Sequence, residues 1–288
     1  MKTIEFETRS FLNRKLQNDD VFVPSRIVDL TDVTKMPTRR GLEKAIICGG
    51  TLVNTVSKSY GHLSNENFFR VVEEKLQAEG IGYVTRSINR NNSSFAVDYI
   101  LSDDNLVVNV KTTVDRIRPM LRFINSYDGK EKTAGHLGFY REVCSNGLHV
   151  LKSRIGFSVK HRGNIVEVVL PEISSIVKNF MNNEFYDLQR KFNVLAERPI
   201  KDLEDFVKVT AESFKLFQFE CSEKNPGPSL NARTVIETIE RESRLLHTDP
   251  TLWIGYNAFN TLLHGKLKKT FGAQERLDAN LFEAILSY

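Results

Sequence analysis

Cysteine is scarce in this 288-residue chain: Cys48, Cys144 and Cys221 are the only three. They lie far apart, and no two have the spacing of a zinc site or a C-x-x-C redox pair. A sparse, odd count points to reduced thiols and a cytoplasmic setting. Long apolar runs are missing too. None approaches the roughly 18 residues needed to cross a bilayer, and the N-terminus "MKTIEFETRSFLNRKL" is too polar for a secretory signal. The six histidines form no H-E-x-x-H or related metal pattern. "CGGTLVN" lacks the lysine and the spacing of a phosphate loop, and no G-x-G-x-x-G opens a helix. Internal repeats and low-complexity tracts are absent. The expectation from these absences is a soluble cytoplasmic protein with no membrane anchor, no metal and no cofactor.

What is present is ordinary in total and uneven in placement. Hydrophobic residues make up 41% and charged residues 26%, enough to bury a real core at this length. The net charge is only +4. Yet residues 83–163 carry 13 Lys+Arg against 7 Asp+Glu, leaving 27 against 29 for the rest. The whole positive excess therefore sits in one central segment. A basic ligand-binding face and a merely solvated strand surface both account for that.

The pattern of apolar residues predicts an α+β fold: an antiparallel, hairpin-rich sheet, a long helix after it, and a helical C-terminal half. Residues 1–45 read as an arm or strand, 46–171 as the sheet core with one helix, and 172–288 as helices beside it, in one continuous domain. "AIICGGTLVNTVSKSY" reads as a strand bent at Gly49–Gly50. "SNENFFRVVEEKLQAEG" reads as a helix, with Ser64 or Asn65 capping it, Glu66 in its first turn and Gly80 ending it. Period-two stretches follow: "YVTRSINR" and "FAVDYILS" around the "NNSS" turn, then "NLVVNVK", "RIRPMLRFINS", "GHLGFYREV", "GFSVKH" and "NIVEVVL". Pro119 has no amide to donate, so its strand should be an edge there or begin there. After Pro171, "EISSIVKNFMNNEFYDLQRKFNVLAE" predicts one long helix. Further helices are expected in "KDLEDFVKVTAESFKLF", "ARTVIETIERESRLL", "TLWIGYNAFNTLLHGKL" and "DANLFEAILSY", with "CSEKNPGPS" a loop.

Three chemistries are open. Cys144, with His136 and His149 near it in sequence, has the makings of a Cys–His nucleophile. His136 lies eight residues away, however, about 27 Å along a strand, and a structural cysteine before the Asn-Gly turn is the simpler reading. Asp98 followed by "VNVK" echoes the Asp and Glu-x-Lys arrangement of metal nucleases, but Asn109 stands at the second ligand position and is neutral. The third is a basic strand face. Alternation puts Ile117, Leu121 and Phe123 on one side of their strand and Arg116, Arg118 and Arg122 on the other. Arg86, Arg90, Lys111, Lys130, Lys132, Lys152, Arg154, Lys160 and Arg162 fall on neighbouring strands and turns, and Tyr140 and Tyr127 could supply aromatic planes. Cations for phosphates and aromatics for bases is how proteins hold single-stranded nucleic acid with little sequence preference.

The run "INSYDGKEKTAGHLGFYREVCSNGL" resembles the domain-of-unknown-function 932 family, through "NSYDG" followed by "R-x-V-C-x-N-G-L". "VFVPSR", "SKSYGHLSNENFFRVVEEKL" and "LWIGYNAFNTLLH" are similar to other pieces of that family, and together they span about residues 22 to 264. The resemblance implies a phage, plasmid or integrative-element protein working in a bacterial cytoplasm. It assigns no activity. The sheet-then-long-helix order also resembles phage single-strand annealing proteins, which implies a ring or other homo-oligomer. The leading expectation is a non-enzymatic protein that holds single-stranded DNA on the basic sheet face for recombination, annealing or replication. A Cys144-based hydrolase, a degenerate metal nuclease and a structural or host-factor-binding protein are the alternatives.

Overall fold

The apolar stretch after Val21 and the two that flank Gly49–Gly50 build the first sheet. In the computed structural model, which describes residues 19–35, 41–111, 113, 115–142, 147–148, 156–180, 183–222, 225–265 and 270–288, this sheet is an antiparallel meander. It consists of β1 (Ser25–Asp29), β2 (Lys44–Cys48) and β3 (Thr51–Val56). What reads in sequence as one bent strand is thus a hairpin. Gly49 and Gly50 both take positive φ, +57° and +78°, the two-residue turn whose twist matches the strands it joins.

The main sheet has seven strands, in the order β10-β8-β7-β5-β4, with β6 pairing β7 and β9 pairing β8. Its members are β4 (Tyr83–Arg90), β5 (Ser94–Leu101), β6 (Val108–Asn109), β7 (Arg116–Ser126), β8 (Thr133–Arg141), β9 (Gly147–Leu148) and β10 (Gly156–Val159). The Asn-rich turn makes a clean hairpin, with β4 and β5 in register from Tyr83↔Leu101 to Arg90↔Ser94. β7 is central. Pro119 survives there because it sits where β7 changes partner: β6 pairs with Arg116 and Ile117, and β5 takes over at Met120. The missing amide falls between the two ladders.

Two compact units divide the chain: Met1–Leu106, Pro119–Gly138 and Ser153–Phe180 in the first, and Val107–Arg118, Phe139–Lys152 and Met181–Tyr288 in the second. In the first unit, α1 (Asn65–Ala78) starts at Ser64, whose hydroxyl accepts the Asn67 amide at 3.2 Å. This satisfies one of the free donors of the first turn. Its Phe68 and Phe69 are fully buried, Phe68 edge-on to Phe123 of β7. Phe123 also meets Tyr99 of β5 and Phe157 of β10.

α2 (Ile165–Asn179) corrects two expectations at once. "NIVEVVL" is helix, not strand, and the helix runs through Pro171. Ile165, Val169, Ile173, Ile176 and Val177 are its buried face, a 3.6-residue period, whereas Val166, Val168 and Leu170 are exposed. The single long helix expected after Pro171 is instead two, α2 and α3 (Asn183–Glu197).

The second unit holds α3 with α4 (Leu203–Ser213), α5 (Leu230–Leu246), α6 (Leu252–Gly265) and α7 (Phe271–Leu286). Phe192 of α3 is packed against Phe139, Trp253 and Phe282. The Pro/Gly-containing stretch expected to be loop forms a small hairpin, β11 (Glu220–Ser222) with β12 (Asn225–Pro228). No described helix is long and apolar enough to cross a membrane.

Candidate functional site

The row of arginines is not an outward face. Arg118, Arg122 and Tyr140 are buried, at 0%, 2% and 1% exposure, and Arg116 is half-buried. The reason lies in pairing across strands. Register places Arg86, Asp98 and Arg122 side by side on β4, β5 and β7. Asp98 accepts from Arg122 Nε at 2.5 Å and Nη2 at 2.8 Å, and from Arg86 Nε at 2.9 Å and Nη2 at 2.6 Å. Burial by itself would raise the Asp98 carboxyl; the two guanidiniums outweigh it and hold the group well below the usual carboxylate range. With both oxygens engaged by cations, Asp98 is not an open metal ligand.

A second set of buried ions lies in the other unit. Arg118 Nε donates to Glu142 at 2.7 Å, with Arg116 3.8 Å from the same carboxylate. Arg141 donates to Asp115 and, at 2.6 Å, to Glu242, while the Trp253 indole donates to Asp115 at 2.9 Å. Nearby in the same unit, Asp278 accepts from Tyr256 at 2.8 Å and from Asn260. These charges are spent on folding. His136 is buried at 4% exposure, and its proposed partner Cys144 lies outside the described residues, as do His149, Lys152 and Arg154. Among the described residues no group of three or more His, Cys, Asp or Glu side chains is placed to hold a metal.

A different constellation forms at one end of the first unit's sheet, where "SYGHLSN" and "NSYDG" meet. Asn125 Nδ2 donates to the Leu63 carbonyl at 2.8 Å and to Asn65 Oδ1 at 2.9 Å. Tyr127 Oη receives the Asn65 amide at 2.7 Å and the Ser25 hydroxyl at 3.0 Å, and Ser25 Oγ lies 3.2 Å from His62 Nε2. Thr133 Oγ1 donates to Asn125 at 3.2 Å and lies 3.2 Å from His161 Nε2, whose Nδ1 is 3.3 Å from the Gly61 carbonyl. Tyr60 donates to the Ser126 carbonyl at 3.3 Å and stacks on His161 with the rings 5.2 Å apart and parallel. The hub is neutral at physiological pH. Burial lowers His161 to about 4, with the Gly61 hydrogen bond opposing it and His62 adding to it. Burial lowers His62 as well, and pushes the Tyr127 hydroxyl up to about 12.

This hub pins two loops together. The Gly163 amide donates to the Ser59 carbonyl at 3.0 Å, and a Cβ on Gly61 would lie 2.6 Å from the Gly163 carbonyl. Only glycine permits so close an approach.

The pinned loops carry cations. Val159↔Thr133 is the last pair of the β8–β10 ladder, so Lys132 and Lys160 stand opposite one another just beyond it. The Arg162 amide donates to the Lys160 carbonyl in a tight turn at 2.8 Å. Lys58, Lys130, Lys132, Lys160 and Arg162 are all exposed. Lys130 lies 3.2 Å from Asp128; among the described residues no carboxylate forms an ion pair with Lys132, Lys160 or Arg162. Four of the cations expected from sequence (Lys130, Lys132, Lys160 and Arg162) thus lie exposed at this end of the sheet, while Arg86, Arg116, Arg118 and Arg122 pair with carboxylates. Sequence reading missed Tyr60, His62, Asn65, Asn125, Thr133 and His161 as a group. The only signal was that several lie inside the two family-like motifs.

The sequence model of a family described as "Domain of unknown function (DUF932)" matches residues 53–282. That span contains the hub apart from Ser25, and all five cations. No curated protein and no solved structure matches the chain.

Proposed function

The chain belongs to the DUF932 family, a membership that supplies no activity, and from the site itself we propose that it is a non-enzymatic protein holding single-stranded nucleic acid by its phosphates at the cationic end of the sheet. One observation carries the reading: Lys132, Lys160 and Arg162 are exposed, close in the fold, and share no ion pair with a described carboxylate. A neutral, hydrogen-bonded hub behind them lends rigidity without cancelling their charge. Several lysines and arginines converging on a groove or edge give affinity for a polyanion and little sequence preference. This site takes the place of the strand face expected from sequence, for the same proposed ligand. The proposal includes assembly of several copies along one strand, since three to five phosphate contacts per chain bind weakly alone and strongly in series. It also includes a mobile-element role in a bacterial cytoplasm.

Fluorescence anisotropy with a labelled 20-nucleotide single strand tests it. With three to five phosphates neutralised, affinity should fall about 20- to 100-fold between 50 and 200 mM salt, following a slope of about −0.7 per contact. Substituting Lys132, Lys160 and Arg162 together by Ala should remove most of the low-salt binding. Binding that ignores salt, or no binding at 50 mM, contradicts the proposal.

A further inference from the structure

We infer that Tyr60 is the base-stacking residue of this site, so that the protein recognises unpaired bases as well as phosphates; this rests on the nucleic-acid reading above. The aromatic planes expected from sequence are not available, because Tyr140 and Tyr127 are both buried, at 1% and 0% exposure. Tyr60 is different. It is half-buried rather than buried, in the loop that carries Lys58 and is tied to the Lys160–Gly163 turn. Its position is fixed at both ends, by its hydroxyl on the Ser126 carbonyl and by the parallel stack on His161.

That support matters for recognition. A tyrosine with a free side chain must be ordered when a base arrives, whereas one already stacked and hydrogen-bonded is in place beforehand. His161 is itself buried, held by Thr133 and the Gly61 carbonyl, and uncharged at neutral pH. The stack is therefore a fixed, neutral platform, with the exposed Lys58, Lys160 and Arg162 within two residues of its two members along the chain. A base has a π-face whatever its identity, so such a platform favours single strands over duplexes without reading sequence. In a duplex the bases are already stacked on each other, and only the phosphates reach the lysines.

The test compares two labelled strands of equal length: twenty thymidines, and twenty deoxyribose-phosphate units without bases. Both present the same phosphates. The wild-type protein should bind the thymidine strand about ten-fold more tightly. Y60L should bring that ratio to near one, whatever the two affinities themselves become, and Y60F, which keeps the ring, should retain the preference. Equal affinity of wild-type protein for the two strands overturns the inference, and this comparison decides even if Y60L proves unstable. A preference that survives in folded Y60L overturns it also. If neither strand binds at low salt, the phosphate-binding reading has failed and the stacking role falls with it.

Discussion

Asp98 carries two guanidiniums on one buried carboxylate, and that single residue explains why alternation along β7 misleads. An arginine every second position reads as a solvated face when only its own strand is in view. The groups that neutralise Arg122 and Arg118 are Asp98, on the neighbouring strand, and Glu142, just past the end of β8. Neither is visible as a partner until register is known. Removing one member of such a set leaves the others buried and unpaired, so D98N should destabilise the protein by about 3–5 kcal/mol, read as a fall in the urea midpoint; a change below 1 kcal/mol would contradict the assignment. His161 gives a second prediction, in a separate pH window. Its folded-state value of about 4 lies below the ordinary 6.5, so between those limits the unfolded chain binds the extra proton. Its contribution is thus lost as pH falls from 6.5 towards 4, by about 3 kcal/mol. Asp98 has the same sign in a lower window: it stabilises above the ordinary carboxylate value and loses that contribution only as pH falls below it. The stability difference between wild type and H161Q, followed by urea unfolding from pH 7 to pH 4, should therefore narrow on acidification. A constant difference would mean that His161 is not held neutral.

The elements most readable from sequence are those with one clear period or one clear stop. Ser64 at the start of α1, the Asn-rich turn of the β4–β5 hairpin and the run of β7 all follow their local signals. α2 does not. "IVEVVL" satisfies a strand and a helix alike over six residues, and Pro171 looks like a boundary; the buried positions Ile165, Val169 and Ile173 declare a helix only when read across the proline. Tertiary burial of that stripe overrides a residue that costs about 3 kcal/mol in a helix interior. Because Pro171 is exposed, P171A restores the backbone donor and removes no packing. It should stabilise the protein by about 1–3 kcal/mol in urea unfolding, and a neutral or destabilising result would contradict a continuous α2. The hub was beyond reach for a different reason. Its members come from β1, the loop before α1 and the first residue of α1, the end of β7, the turn after it and the start of β8, and the segment after β10, and no periodicity links residues that far apart.

On the scale of the whole chain, the central positive excess is divided between two uses. Part is folded inward against Asp98, Asp115 and Glu142, and part remains at the sheet end as Lys130, Lys132, Lys160 and Arg162. Counting charge along the sequence cannot separate them, although both groups lie in the segment that it singles out. Position rather than amount of charge defines the proposed site, and one comparison isolates that. Single-strand affinity at 50 mM salt would be measured for K132A/K160A/R162A and for K35A/K75A/K201A, which removes the same three charges from other exposed positions. The first variant should lose at least ten-fold and flatten the salt dependence, while the second stays within two- to three-fold of wild type. Equal losses in the two would mean that binding follows net charge, and would contradict a site beside the start of β8 and the end of β10.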